Sequence, residues 1–137
     1  MKAKELRIGN IIGATYTDYD DGSKKYDVCK VVTLDSVGAA EYPIWVEGKA
    51  NIENYDSFYP IEIDEEWLIK LGFKKINLTF HKDEHFAITE IITLADNKKS
   101  YGFPSEDLFI RDVEIKYVHQ LQNLYFAITG EELQLVE

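Results

Sequence analysis

Cysteine occurs once, at Cys29, so no intrachain disulfide can form and a reducing compartment is the natural home of the chain. Long apolar runs are missing too. The longest, such as Leu124 to Ile128, fall far short of the roughly 18–20 residues that a membrane span needs. The opening Met1-Lys2-Ala3-Lys4-Glu5 has basic residues but no apolar stretch after them, so nothing speaks for secretion. Together these absences predict a cytoplasmic protein that does not meet a membrane. Proline is scarce, at three residues. No proline- or serine-rich linker, low-complexity tract or internal repeat of fixed period is visible.

Clusters of positive charge are absent as well. The densest basic points, Lys24-Lys25, Lys74-Lys75 and Lys98-Lys99, are isolated pairs beside expected turns. Affinity for nucleic acid rests largely on neutralising phosphates. With a net charge of −10, direct nucleic-acid binding is not expected. The acidic excess suits a basic protein partner or a mimic of nucleic acid, and equally serves solubility.

What is present is the composition of a folded domain. The chain has 137 residues, 45% hydrophobic and 29% charged, close to a usual single-domain length of roughly 100–150. A chain of this size buries about two-thirds of its unfolded surface, enough for a core without staples. One domain over residues 1–137 is expected. Its lobes would be 1–62, rich in β, and 63–137, mixed, with any boundary near Pro60 to Asp64.

The first half reads as strands. Leu6 to Tyr16 is rich in isoleucine and threonine. Tyr19-Asp20-Asp21-Gly22-Ser23 is a turn, because Asp-Gly supplies the positive φ of a tight hairpin. Tyr26, Val28, Lys30 and Val32 alternate with Asp27, Cys29, Val31 and Thr33, which predicts a strand with one apolar face. Pro43 to Val46 and Ser57 to Ile63 are further strands, separated by a turn at Gly48-Lys49-Ala50-Asn51. Then the period changes. Asp64 is a natural N-cap, Glu65 and Glu66 suit the positive end of a helix dipole, Trp67, Leu68 and Leu71 form an apolar face, and Gly72 ends the helix. Strands resume at Phe73 to Phe80 and Phe86 to Leu94 around the charged tip His81-Lys82-Asp83-Glu84-His85. Others follow a turn at Ala95 to Lys99, at Ser100 to Phe103 and, beyond Pro104, at Leu108 to Ile115.

A second helix is predicted from Tyr117 to Thr129, ended by Gly130. Tyr117, Leu121, Leu124, Tyr125 and Ile128 share one stripe, with Val118 at its edge. His119, Gln122 and Asn123 lie opposite, with the displaced aromatic Phe126 among them. These four form a candidate contact patch for a protein partner. Glu132 to Val136 is expected to finish as a short strand in the sheet the helix covers. The fold class is therefore α+β with mainly antiparallel sheet, a short central helix and a C-terminal helix packed on the sheet.

Chemistry-bearing motifs are few. His81 and His85 have the spacing of two zinc ligands on one helical face, but their flanks place them astride a hairpin tip. A third ligand would have to come from Asp83, Glu84 or Glu90. Asp18 to Gly22 resembles a calcium loop only superficially, since Gly22 holds a ligand position and the terminal glutamate is absent. Gly9-Asn10-Ile11-Ile12-Gly13 is neither a P-loop nor a dinucleotide fingerprint. Cys29 has no histidine near it in sequence and reads as a small buried hydrophobe. No catalytic residue and no cofactor is implied. Tyr42, Trp45, Tyr55, Phe58 and Tyr59 crowd a loop-rich stretch, which makes Tyr42 and Trp45 further partner-binding candidates beside the plainer reading of core filling.

Three stretches carry a resemblance: Leu6-Arg7-Ile8-Gly9-Asn10; Pro60 to Leu68 followed by Leu71-Gly72-Phe73; and Lys116 to Phe126 with Thr129-Gly130-Glu131-Glu132-Leu133 behind it. In this order they resemble a family of short uncharacterised proteins of Bacteroidales bacteria and their phages or prophages. That resemblance implies no activity, cofactor or catalytic residue. The Arg7 to Ile12 opening is separately similar to the first strand of small SH3-like barrels, which would place a small barrel in the N-terminal half. The leading expectation is a non-enzymatic protein-binding or accessory protein of a phage, prophage or mobile element. An acidic inhibitor or nucleic-acid mimic is the first alternative, and a small metal-dependent hydrolase at His81 and His85 the second.

Overall fold

The computed structural model of the protein describes residues 6–18, 20–34, 44–47, 55–83, 86–103 and 113–136. It is an α+β structure with two antiparallel sheets, and it divides into two compact units, Met1–Ile61 and Glu62–Glu137.

The first unit holds β1 (Ile11–Thr17), β2 (Lys24–Leu34), β3 (Ile44–Glu47) and β4 (Tyr55–Tyr59), side by side in the order β3-β2-β1-β4. The β1–β2 hairpin closes where the Asp-Gly pair predicts. Gly22 takes φ +72°, its N–H reaches the Asp18 carbonyl at 2.7 Å, and Asp18 N–H reaches Ser23 O at 2.8 Å. The Asp21 carboxylate accepts from both the backbone N–H and the hydroxyl of Ser23, and these bonds hold its carboxyl below the ordinary range. The strand expected from Leu6 begins only at Ile11. Asn10 ties the preceding residues into a turn by accepting the Arg7 N–H at 2.6 Å on its side chain, a local competition with the ladder open to asparagine. Strands β3 and β4 lie at opposite edges, and no pairing among the described residues joins them. The sheet is open, so the small barrel expected here is not confirmed.

Burial in this sheet decides which face of β2 turns inward. Leu6, Ile12, Ala14, Cys29 and Val31 are buried together with Phe58 packed against them. The buried face of β2 is thus Asp27, Cys29 and Val31, while Tyr26, Val28 and Val32 point out. The more apolar of the two alternating sets is the exposed one. In register, Cys29 lies opposite Ile12 and Asp27 opposite Ala14, so the buried face of β2 shares its side of the sheet with Ile12 and Ala14.

The second unit adds α1 (Glu65–Lys70), β5 (Lys74–Ile76), β6 (Thr79–His81), β7 (Ala87–Thr93), β8 (Lys98–Phe103), β9 (Val113–Ile115) and α2 (Val118–Thr129), with the strands in sequential order. Helix α1 is capped as expected, the Asp64 carboxylate accepting the Trp67 N–H at 2.8 Å. At its other end Gly72 takes φ +91° and Lys82 Nζ donates to the Leu71 carbonyl at 3.1 Å. The stretch expected as one strand from Phe73 to Phe80 is instead two strands, because Asn77 enters the left-handed region at φ 58° and turns the chain. Asparagine tolerates that conformation better than most residues. Asn97, at φ 56°, does the same between β7 and β8.

The core of this unit is aromatic. Phe86 contacts Phe73, Phe103 and Tyr125 at ring-centroid distances of 6.1, 5.2 and 5.0 Å, and Phe80 meets Tyr101 edge-on at 6.0 Å. Helix α2 ends at Gly130 in the left-handed conformation, and it buries Val118, Leu121 and Tyr125 as its stripe predicts. Its inward face is nevertheless rotated: Ile128 is exposed, while His119 and Gln122 are inside. The last segment is not the expected strand. Leu133 is buried, its carbonyl accepts the Gln122 side-chain amide at 3.1 Å, and Val136 N–H reaches the Lys70 carbonyl at 2.8 Å. The segment from 131 to 136 straps α2 to α1. A buried glutamine amide facing a strap carbonyl is the reason the polar side of α2 turns inward.

Candidate functional site

The four residues expected to form one patch on α2 are divided. His119 and Gln122 are 2% and 1% exposed, His119 lying parallel to the Tyr117 ring at a centroid distance of 5.8 Å. Asn123 is half-buried, and Phe126 is 40% exposed. Of the four, Asn123 and Phe126 are the ones that reach the surface. Trp45 stands in β3 opposite Thr33 of β2. Tyr42 and His85 lie outside the described residues. His81 closes β6 opposite Lys74 and Ala87, half-buried. No group of three or more metal-ligating side chains comes together among the described residues.

One polar constellation was not singled out from sequence. Glu90, on the central strand β7, is 4% exposed and lies on the core face of its sheet. Cross-strand pairing places Glu90 opposite Tyr101 and Ile92 opposite Lys99 on β8. From the other side, Lys75 of β5 stands opposite Phe80. The carboxylate meets Lys99 Nζ at 3.2 Å through Oε1 and Lys75 Nζ at 3.6 Å through Oε2. Lys75 also reaches Glu65 at the start of α1, at 3.4 Å. Burial would lower the Lys75 pKa, but the hydrogen bond and charge of Glu65, with the charge of Glu90, raise it above its ordinary value. Tyr101 is raised as well, first by burial and then by the charges of Glu90, Asp64 and Glu65. The legible signal was the set Ile88, Glu90, Ile92: a carboxylate in the apolar half of an alternating strand. A buried charge is retained only with compensation, and the two lysines supply it. Set between them, Glu90 ties β7 to β5 and β8.

Beside this cluster the sheet forks. Strand β8 pairs with β7 from Lys98 to Gly102 but with β9 only from Tyr101 to Phe103. Past Ile115 the chain leaves β8, because the Gln120 side chain accepts both the Lys116 and Tyr117 N–H groups, at 3.0 and 3.1 Å. Lys116 O takes the Ile63 N–H at 2.8 Å, and Glu62 bridges to Tyr117. Between the two arms lies a groove of about 160 Å³, lined by Lys98, Ser100, Glu114 and Lys116 among others.

The first unit has a different kind of feature. Tyr26 is 73% exposed, with Val28 and Val32 exposed on the same side of β2. Tyr26 meets Tyr59 edge-on at 6.5 Å. Tyr59 lies across Gly13, its partner in register, and a Cβ built at Gly13 would collide with the ring. Burial holds the Tyr59 phenol above its ordinary pKa, with smaller contributions from Tyr26, Cys29 and Asp27. The result is an outward apolar pair, Tyr26 and Val28, bordered by Tyr59, with the exposed Lys30 between it and Val32.

Comparison with family models, curated proteins and solved structures gives no match for this chain. Among the described residues no helix is long and apolar enough to cross a membrane.

Proposed function

We propose that this chain is a non-enzymatic accessory protein that binds another protein through the outward face of β2. The carrying observation is the inversion of that strand, with Tyr26, Val28 and Val32 outside while Asp27 is buried. An outward apolar row on a strand costs solubility and does nothing for the core, and such rows mark contact surfaces when they are contiguous. Tyrosine suits the role, because it supplies apolar area and a polar tip with only two side-chain torsions. The occupant is a protein with an apolar centre and a basic rim. The net charge of −10 draws such a partner at long range, and the apolar row retains it. The resemblance to short proteins of Bacteroidales and their phages supports an accessory role in a mobile element.

The test is crosslinking in the native host with the chain itself and with the double variant Tyr26→Asp, Val28→Asp, after circular dichroism has shown that the variant folds. A partner held by the first at low and high salt and lost by the second is the expected result. Equal capture by both would overturn this assignment of the face. Capture lost wholly at high salt would move the reading to acidic mimicry, since exposed charge pairs are screened.

A further inference from the structure

We infer that the fork between β8 and the segment from 114 to 117 is a strand-insertion site, which takes a short extended peptide from a partner protein. The site is built wholly from the second unit, and the inference does not depend on the outward face of β2.

The argument starts from unpaired backbone. In an antiparallel sheet an inner strand shares hydrogen bonds with neighbours on both sides, and a lone edge invites another chain. Lys98, Lys99 and Ser100 pair with β7 on one side, and on the other no strand lies beside them among the described residues. The natural continuation of β9 is held away, since Gln120 occupies the N–H groups of Lys116 and Tyr117 and residues 62–63 bind that segment as well. The arms are thus fixed by bonds of their own, and the opening between them is built into the fold. Alternation along β8 aims the Lys99 backbone groups at the opening, while the Lys98 N–H already donates to the Asp96 carboxylate at 3.1 Å, so an extended peptide of three residues, about 10 Å, would be anchored at Lys99.

Charge specifies the occupant further. Lys98 and Lys116 are exposed at the groove with Glu62 and Glu114, and none of the four takes part in an ion pair among the described residues. Lys99 is committed to Glu90. A groove that presents both signs of free charge along a strand edge fits a peptide with alternating charged and β-branched residues. Main-chain bonds would hold it and side chains would select it. Nucleic acid does not fit, because the two glutamates oppose phosphate.

The experiment uses the full chain labelled with nitrogen-15. The probe is an acetylated, amidated five-residue peptide in which valine alternates with residues of both charges, and the control carries proline at its centre. The expected result is saturable movement of the Lys98, Lys99 and Ser100 amide signals with the probe. The control, which lacks the central main-chain donor, should bind at least about tenfold more weakly, as expected when main-chain bonds carry the affinity. Absence of saturable movement at these amides would overturn the proposal, as would equal binding of the proline peptide. Protection of the same amides by dimerisation without peptide would also overturn it, since a second copy would then be the occupant.

Discussion

Strands β2 and β7 are each central in a sheet, and each places a carboxylate inside. Asp27 on β2 is buried, one of its oxygens accepting the Val28 N–H at 2.9 Å and the other facing the Cys29 thiol at 3.8 Å. Glu90 on β7 is buried and meets two lysines, Lys99 from the adjacent β8 and Lys75 from β5 beyond β6. In the first sheet the inward polar residue coincides with an outward apolar row, and the strand trades core area for surface. In the second sheet the apolar partners Ile88 and Phe80 stay inside and the aromatic core is dense around Phe86. A buried acid, then, does not have one meaning. With cross-strand cations it sits in a dense core, and on β2 it sits behind an apolar set turned outward.

The largest effect expected from breaking this contrast is at Phe86. Phe86→Ala should cost about 4 kcal/mol, the usual range for a fully buried aromatic, read from urea unfolding and from faster amide exchange across residues 62–137. An effect under about 1 kcal/mol would mean that the aromatic core is not the keystone of that unit. Next comes Gly13→Val. Its side chain must displace the Tyr59 ring, at about 2 kcal/mol for an overpacked site. The paired change Tyr59→Ser should recover at least about 1 kcal/mol, because the two positions share one space. Strict additivity would refute the contact.

The ion cluster sharpens the comparison at smaller scale. Glu90→Gln keeps shape and loses charge, and should cost about 1 kcal/mol. Replacing both Lys75 and Lys99 by methionine leaves the buried carboxylate uncompensated and should cost more than Glu90→Gln. The reverse ranking, by thermal unfolding at neutral pH, would remove the organising role given to Glu90. The smallest effect lies in alkali. Burial raises Tyr101 above its ordinary pKa of 10.0. The unfolded chain therefore ionises this phenol first, and the stability the raised group contributes is complete below pH 10 and lost as pH rises through the folded value. Tyr101→Phe should flatten that alkaline limb of the stability profile and leave the neutral plateau nearly unchanged.

Much of the local structure was legible beforehand, and the reasons are short-range. Asp64 and Gly72 mark the two ends of α1, Gly130 ends α2, and Gly22 closes the first hairpin, because caps and tight turns depend on two to four adjacent residues. The turn at Asn77 was missed because asparagine in the left-handed region is permitted rather than required. The inward turn of His119 and Gln122 was missed for a different reason. Helical periodicity separates two faces of α2, but the partner that makes a buried glutamine acceptable, the Leu133 carbonyl, lies in a segment whose course no periodicity predicts. The groove beside β8 was invisible for the same cause, since it exists only where Gln120 and residues 62–63 hold one arm of a sheet away from the other.

By itself, then, the order of residues determined the strand and helix periods, the caps, the hairpin glycine and the acidic balance. Tertiary structure alone decided which side of β2 faces out, which charge on β7 is compensated, and where the second sheet opens. The physical reason is that alternation and helical spacing define two faces without naming the inner one. That choice is made by whatever packs opposite, through register and through hydrogen bonds between residues distant in the chain.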